Sequence, residues 1–190
     1  FVGPWGVEEG FLGKLEANIL AGTNEPSRIL FPRSLESHYR PHLALEAFAR
    51  FVQAGGVATL DFVGNGSLRK SLEEVVSSYN LESAVRFREF VGELHMPKLL
   101  ADYDSVLNLP VTDGSSVTLL QAMAMGIPVI SSRTAGAMEW IVDGITGLLL
   151  DGDSVEQVVD GLVRFVGMNS TERNQIRTNC RRLISERANW

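Results

Sequence analysis

The chain has 190 residues, of which 45% are hydrophobic and 21% charged, and its formal net charge is −6. That length supports one domain with a sizeable core, and the composition belongs to the globular class. The negative balance excludes a general basic surface for nucleic acid, while a local basic site for a small anion remains compatible with it.

The single cysteine, Cys180, excludes an internal disulfide and favours a reduced compartment. No apolar run approaches the ~18 residues that signal a membrane span, and no signal peptide is visible. The opening FVGPWGVEEGF begins on Phe1 and reads as the interior of a longer protein.

Residues 1–27 are rich in Gly and Pro and read as a linker and entry segment. From Arg28 a regular alternation begins. RILFP is a short apolar run that predicts a strand ending at Pro32. PHLALEAFARFVQAG carries Leu43, Leu45, Ala47, Phe48, Phe51 and Val52 at helical spacing, between Pro41 and Gly55. ATLDFVG predicts a strand, and SLRKSLEEVVSSYN a helix capped by Ser67.

AVRFREFVG, SVLNLP, IPVISS and GLLL predict four more strands. MPKLLADY, SVTLLQAMAMG and GAMEWIVDG predict the helices between them, and SVEQVVDGLVRFVGM and STERNQIRTNCRRLISERA two closing helices. Thr171-Glu172 is expected to open the last helix, with Arg181, Arg182 and Arg187 near its end. Short apolar strands alternating with helices predict a doubly wound α/β domain, a parallel sheet covered on both faces.

Ligands of such sheets bind in the loops at the carboxyl ends of the strands. Four loops carry unusual residues there. Arg33 and Arg40 flank the first, and an arginine fork suits phosphate oxygens. Arg33 directly leaves its strand and reads equally as a ligand or a surface residue; Arg40 reads more readily as a surface residue.

Gly64, Asn65, Gly66 and Ser67 form the second, where two glycines let backbone approach a ligand at a helix start, although Gly-Asn-Gly is also an ordinary turn. Asp113, Gly114, Ser115 and Ser116 form the third, ahead of Val117 and an apolar helix. Its free amides and dipole make an anion seat, and Asp113 or Ser115 could also serve as the cap. Gln121 lies two turns further in and needs a buried partner. In the fourth, a small-residue loop opens a helix with Glu139 early, which on its own reads as a helix-dipole partner.

Cys180, His38, His42 and His95 are scattered and show no zinc spacing. The Walker loop is missing, and GNGSLR lacks the third glycine of a dinucleotide fingerprint. These absences weigh against an ATPase and a dehydrogenase.

Taken in order, ILFPR, LALEAF, DFVGNGSLR, VRFREFVG, ADYDSVLNLPVTDGSSVTLLQAMAMGIPVISS and GAMEWIVDGITGLLLDGDSVEQV resemble the C-terminal domain of GT-B glycosyltransferases, in particular the large retaining family 4. The resemblance covers residues 28–190, and GPWGVEEGF is similar to the linker leaving the family's N-terminal domain. It implies one Rossmann-like half of a two-domain enzyme. This half grips a nucleotide diphosphate sugar, and the other supplies most of the acceptor site. It implies transfer with retention and without a metal or other cofactor.

By the same resemblance, Arg33 and Arg40 contact the donor diphosphate as catalytic residues together with Asp113. Gly64, Asn65, Gly66, Gly114, Ser115, Ser116, Val117, Gln121 and Glu139 bind the donor. The family has two glutamates eight residues apart where this chain has Asp113 and Gln121, and Arg40-Pro41 stands where Lys-Gly is common. A neutral amide at Gln121 is expected to weaken donor binding on the order of tenfold without abolishing it.

The implied partners are a nucleotide sugar and a sugar, lipid or glycan acceptor. The implied location is the cytoplasm, with peripheral contact at the inner face of the membrane compatible with it. Two alternatives stay open: a non-catalytic binding module of the same fold, and a GT-B sugar-nucleotide epimerase.

Overall fold

The computed structural model describes residues 26–188, so the expected entry segment lies outside the described residues apart from Pro26 and Ser27. Six parallel strands form one sheet in the order β3-β2-β1-β4-β5-β6. They are β1 (Ser27–Phe31), β2 (Ala58–Val63), β3 (Val85–Arg88), β4 (Ser105–Asn108), β5 (Val129–Ser131) and β6 (Leu148–Leu149). The helices are α1 (Pro41–Gln53), α2 (Arg69–Ser78), α3 (Met96–Leu100), α4 (Val117–Ala124), α5 (Ala135–Trp140), α6 (Val155–Gly167) and α7 (Ser170–Arg187). The doubly wound expectation holds, and the first strand starts one residue earlier than expected.

The strand order reverses between β1 and β4, which pair Ile29 with Ser105 and Leu30 with Val106. In sheets of this kind the ligand crevice lies at that switch point, above the carboxyl ends of the two strands. Successive strand side chains point to opposite faces, so a strand covered on both sides must be apolar at nearly every position. Leu30 packs with Leu100, Leu120, Met123 and Ile176 on one face, and its neighbour Phe31 with Phe48, Phe62, Leu107 and Phe165 on the other.

Local signals set the helix ends. Arg40, in the left-handed region at φ 54, precedes α1, and Pro41 supplies the pre-set φ of its first residue. Ser154 and Gln157 form a capping box on α6. Asn169 and Glu172 do the same for α7, so that helix opens at Ser170 under an asparagine cap rather than at Thr171. Ser67 does not cap α2. Its amide and hydroxyl both donate to the Glu36 carboxylate, at 2.7 and 2.6 Å, which ties α2's approach to the loop after β1.

Cys180, in α7, lies wholly buried, its thiol donating to the Thr146 carbonyl at 2.8 Å. Burial pushes the thiol up to about 12 from an ordinary 9.0. An unfolded chain therefore loses this proton first, and stability falls as pH rises from about 9 to 12. Tyr103 adds to the trend, since burial and then its hydrogen bond to Asp61 push its phenol up to about 12. Urea midpoints of Cys180→Ala between pH 9 and 11 are expected to fall less steeply than those of the native chain; parallel lines refute the assignment.

Candidate functional site

The loops leaving β1 and β4 are stitched together across the switch point. Arg33, two residues past β1, donates from Nε to Asn108 Oδ1 at 2.9 Å and forms an ion pair through Nη2 with Asp113. Its side chain is 13% exposed and that of Asp113 22%. The guanidinium lies 4.9 Å from the centre of the Tyr39 ring, a cation–π contact. The Val111 amide donates to the His38 carbonyl at 2.9 Å, and His38 Nε2 bonds the Thr112 carbonyl at 2.7 Å.

Arg40, expected to be a second diphosphate contact, is engaged with the protein. Nε donates to the Leu109 carbonyl at 2.8 Å, Nη2 to the Pro110 carbonyl at 2.7 Å, and Nη1 pairs with Asp153 at 2.9 Å. Its backbone is left-handed, and its side chain lies against the carbonyls that follow β4, that of Pro110 also accepting from the Ser132 hydroxyl at 2.9 Å. Arg40 thereby holds the two loops in register.

The mouth of α4 lies beside Asp113. Ser116 is its cap, accepting from the Leu119 amide, so neither Asp113 nor Ser115 fills that place. Among the described residues, the Ser115, Ser116 and Val117 amides have no hydrogen-bond partner. Among the described residues, a methyl group added at Gly114 meets nothing within 4 Å beyond its chain neighbours, so the space beside these amides is open.

Gly136 behaves differently. A Cβ there would stand 1.9 Å from the Gly114 carbonyl oxygen, and the Gly136 amide donates to the Asp113 carbonyl at 3.2 Å. The start of α5 is thus pressed directly against the Asp113–Ser115 loop. Ser115 Oγ donates to Glu139 at 3.1 Å and accepts from Trp140 Nε1 at 3.4 Å. Glu139 is the fifth of α5's 6 residues rather than an early one. Its place near the helix end is supported by Arg187, whose Nη1 donates to its carbonyl at 3.2 Å.

Gln121 is 5% exposed, and its amide makes no side-chain hydrogen bond among the described residues. The core amide bonded to backbone is therefore not observed.

The second loop has a structural reason for its glycines. A Cβ at Gly64 would stand 2.6 Å from the Arg33 carbonyl oxygen, and one at Gly66 2.4 Å from that of Leu35. The Asn65 carbonyl accepts from the Leu35 amide at 3.0 Å. The expected close approach is thus made to the backbone following β1, and it fixes where Arg33 leaves the strand.

The crevice brings Arg33, Asp113, Gly114, Ser115, Ser116 and Val117 to one place. An arginine and unpaired helix-start amides within one cleft offer positive potential to an anion. Sequence reasoning missed Asn108, Tyr39 and Trp140. Asn108 alone carried a signal, as a polar residue inside the apolar run SVLNLP.

The model of the glycosyl transferases group 1 family matches residues 16–183. The chain belongs to this family. The amylovoran biosynthesis glycosyltransferase AmsK of Erwinia amylovora is 29% identical over 148 residues, 74% of this chain and 36% of that protein. The N-acetyl-alpha-D-glucosaminyl L-malate synthase of Bacillus anthracis is 30% identical over 155 residues, 80% of this chain and 40% of that protein. The chain thus spans well under half the length of these curated relatives.

The solved C-terminal domain of a group 1 family protein, LpcC from Francisella tularensis, superposes with a TM-score of 0.77 at 22% identity, covering 87% of this chain and 88% of that one. Anabaena Alr3699/HepE in complex with UDP and glucose gives 0.78 at 20% identity, covering 97% of this chain and 50% of that one. These likenesses show the fold, the Rossmann-like α/β fold of GT-B glycosyltransferase domains. Among the described residues, no group of three His, Cys, Asp or Glu is placed to hold a metal ion, and no helix is long and apolar enough to cross a membrane.

Proposed function

We propose that this chain is the donor-binding half of a glycosyltransferase that moves a sugar from a nucleotide diphosphate sugar to an acceptor with retention at the anomeric carbon. The observation that carries the reading is the ion pair of Arg33 with Asp113, in the loop that leads into the open amides of Ser115, Ser116 and Val117 at the switch point of the sheet. In support, a relative of the same fold has been solved with UDP and glucose.

Arg33 and the α4 amides receive the diphosphate and stabilise the charge that grows on it as the glycosidic bond to the sugar breaks. This supplies the neutralising charge without a metal. Asp113 shares Arg33 until the phosphates arrive and then faces the sugar. Arg40 serves catalysis by holding the β4 loop in place. Gly64, Asn65 and Gly66 bound the nucleotide side, and Glu139, through Ser115, bounds the sugar side. The acceptor, a sugar, lipid or glycan, sits on a preceding domain. The full protein works in the cytoplasm, in peripheral contact with the membrane where its acceptor is lipid-linked.

The test is a transfer assay on a longer protein that includes the preceding domain, with the anomeric configuration of the product read by NMR. A product that keeps the donor's configuration supports the reading. An inverted product, or an epimerised nucleotide sugar, sinks it.

Gln121 offers the ribose a neutral acceptor, and hydrogen bonds to a charged acceptor are worth ~1.5–3 kcal/mol against ~1 for neutral ones. Gln121→Glu is expected to tighten binding of the matching nucleoside diphosphate by roughly tenfold. Calorimetric titration checks it; weaker binding than native places Gln121 away from the ribose.

A further inference from the structure

An amide at Asn108 is out of character with its surroundings. It ends a strand whose four residues are all buried, and it is itself 3% exposed. A polar group in such a place costs stability unless its hydrogen bonds are made. Here they are made in a defined direction. Oδ1 accepts from Arg33 Nε at 2.9 Å, and Nδ2 donates to Ser131 Oγ at 3.0 Å. Ser131 Oγ in turn donates to the Ser132 carbonyl at 3.1 Å.

The partners dictate the amide's orientation. Arginine Nε only donates, so an oxygen must face it. Ser131 spends its one hydrogen on Ser132, so it presents a lone pair to Nδ2. A flipped amide would set donor against donor at Arg33. A chain of bonds through the ends of β4 and β5 therefore ends on one atom of Arg33. With Nε held and the Tyr39 ring 4.9 Å from the guanidinium, the remaining Nη edge is aimed at Asp113 and the mouth of α4.

We infer that Asn108 is a positioning residue: it holds Nε of Arg33 so that the guanidinium's free edge meets the donor phosphates in a fixed orientation. This rests on the donor-site reading above. Positioning matters because a planar fork makes its paired phosphate contacts only in the correct plane.

Two variants of similar size test it on the 190-residue chain. Asn108→Leu removes both hydrogen bonds, and Asn108→Asp keeps the acceptor oxygen. Proton exchange at the Arg33 Nε–H, followed by NMR, is expected to be slow in the native chain and in Asn108→Asp, and fast in Asn108→Leu. Titration with UDP, GDP and ADP is expected to show affinity for the nucleotide that binds falling roughly tenfold in Asn108→Leu. In an Arg33→Ala background, Asn108→Leu is expected to add no further loss, because its effect runs through Arg33.

Slow Nε–H exchange in Asn108→Leu overturns the inference. So does an undiminished loss in the Arg33→Ala background, which marks Asn108 as acting through general packing. If Asn108→Leu does not fold, fast exchange in Asn108→Asp overturns it equally. If the native chain binds none of the three nucleotides while Asn108 still protects the Nε–H, the hold on Arg33 is supported and the donor-site reading is what fails.

Discussion

Replacing Arg33 with alanine is expected to weaken nucleoside diphosphate binding by roughly ten- to a hundredfold, from the loss of ~1.5–3 kcal/mol of charge-assisted hydrogen bonding. In a longer protein that carries out transfer, kcat is expected to fall by about a further 10²–10³, the usual cost of removing a donor aimed at developing negative charge. Both effects arise because Arg33, held by Asn108 and the Tyr39 ring, directs Nη2 to the Asp113 carboxylate at the mouth of α4. Arg40 spends its nitrogens on the Leu109 and Pro110 carbonyls and on Asp153 and cannot substitute. Arg33→Lys is expected to recover only part of the binding, since an ammonium lacks the planar fork. Unchanged nucleotide affinity and unchanged transfer in Arg33→Ala would remove Arg33 from the site.

Gly136→Ala is expected to be the second most damaging change. A methyl group there would lie 1.9 Å from the Gly114 carbonyl oxygen and 2.8 Å from the Ser115 amide nitrogen. Both are backbone atoms, so α5 or the Asp113–Ser115 loop must shift. Overpacking of this kind costs about 1–3 kcal/mol, and the shift would misplace the α4 amides. Urea denaturation is expected to show the stability loss and calorimetry at least a tenfold drop in nucleotide affinity. Gly114→Ala separates the two effects. Among the described residues its methyl group meets nothing within 4 Å beyond its chain neighbours, so the fold stays stable while the approach to the amides narrows. A Gly136→Ala chain of native stability and native affinity refutes the proposed role of this contact.

Much of this was legible in the residues themselves, because periodicity reports burial. The runs from RILF to GLLL each form a strand, and all but the edge strand β3 are buried at nearly every position. Arg33 was legible because it leaves a strand directly. What stayed hidden depends on where distant loops meet. The order β3-β2-β1-β4-β5-β6 is not written in any local stretch, and without it Asn108 cannot be seen to reach Arg33 across 75 positions.

Arg40 stood out as an arginine in the loop after a strand and through the family resemblance; its left-handed backbone and its bonds to the carbonyls after β4 are tertiary outcomes that no local stretch reveals. Gly64 and Gly66 signalled a close approach correctly but not to what, and the partner is the backbone after β1. The cap of α4 fell on Ser116 because Asp113, Ser115 and Ser116 offer similar local chemistry within four positions, and packing chooses among them. Glu139 looked like an early helix acid because the length of α5 could not be read from so short a segment.

The central claim is that the switch-point crevice is a diphosphate site. The most direct measurement is a titration of the 190-residue chain with UDP, GDP and ADP, followed through the backbone amide resonances. Saturable binding of one of them is predicted, with the largest shifts at Gly114, Ser115, Ser116 and Val117 and smaller ones at Gly64 and Gly136. Shifts confined to another part of the surface, or none with any of the three at millimolar concentration, would contradict it.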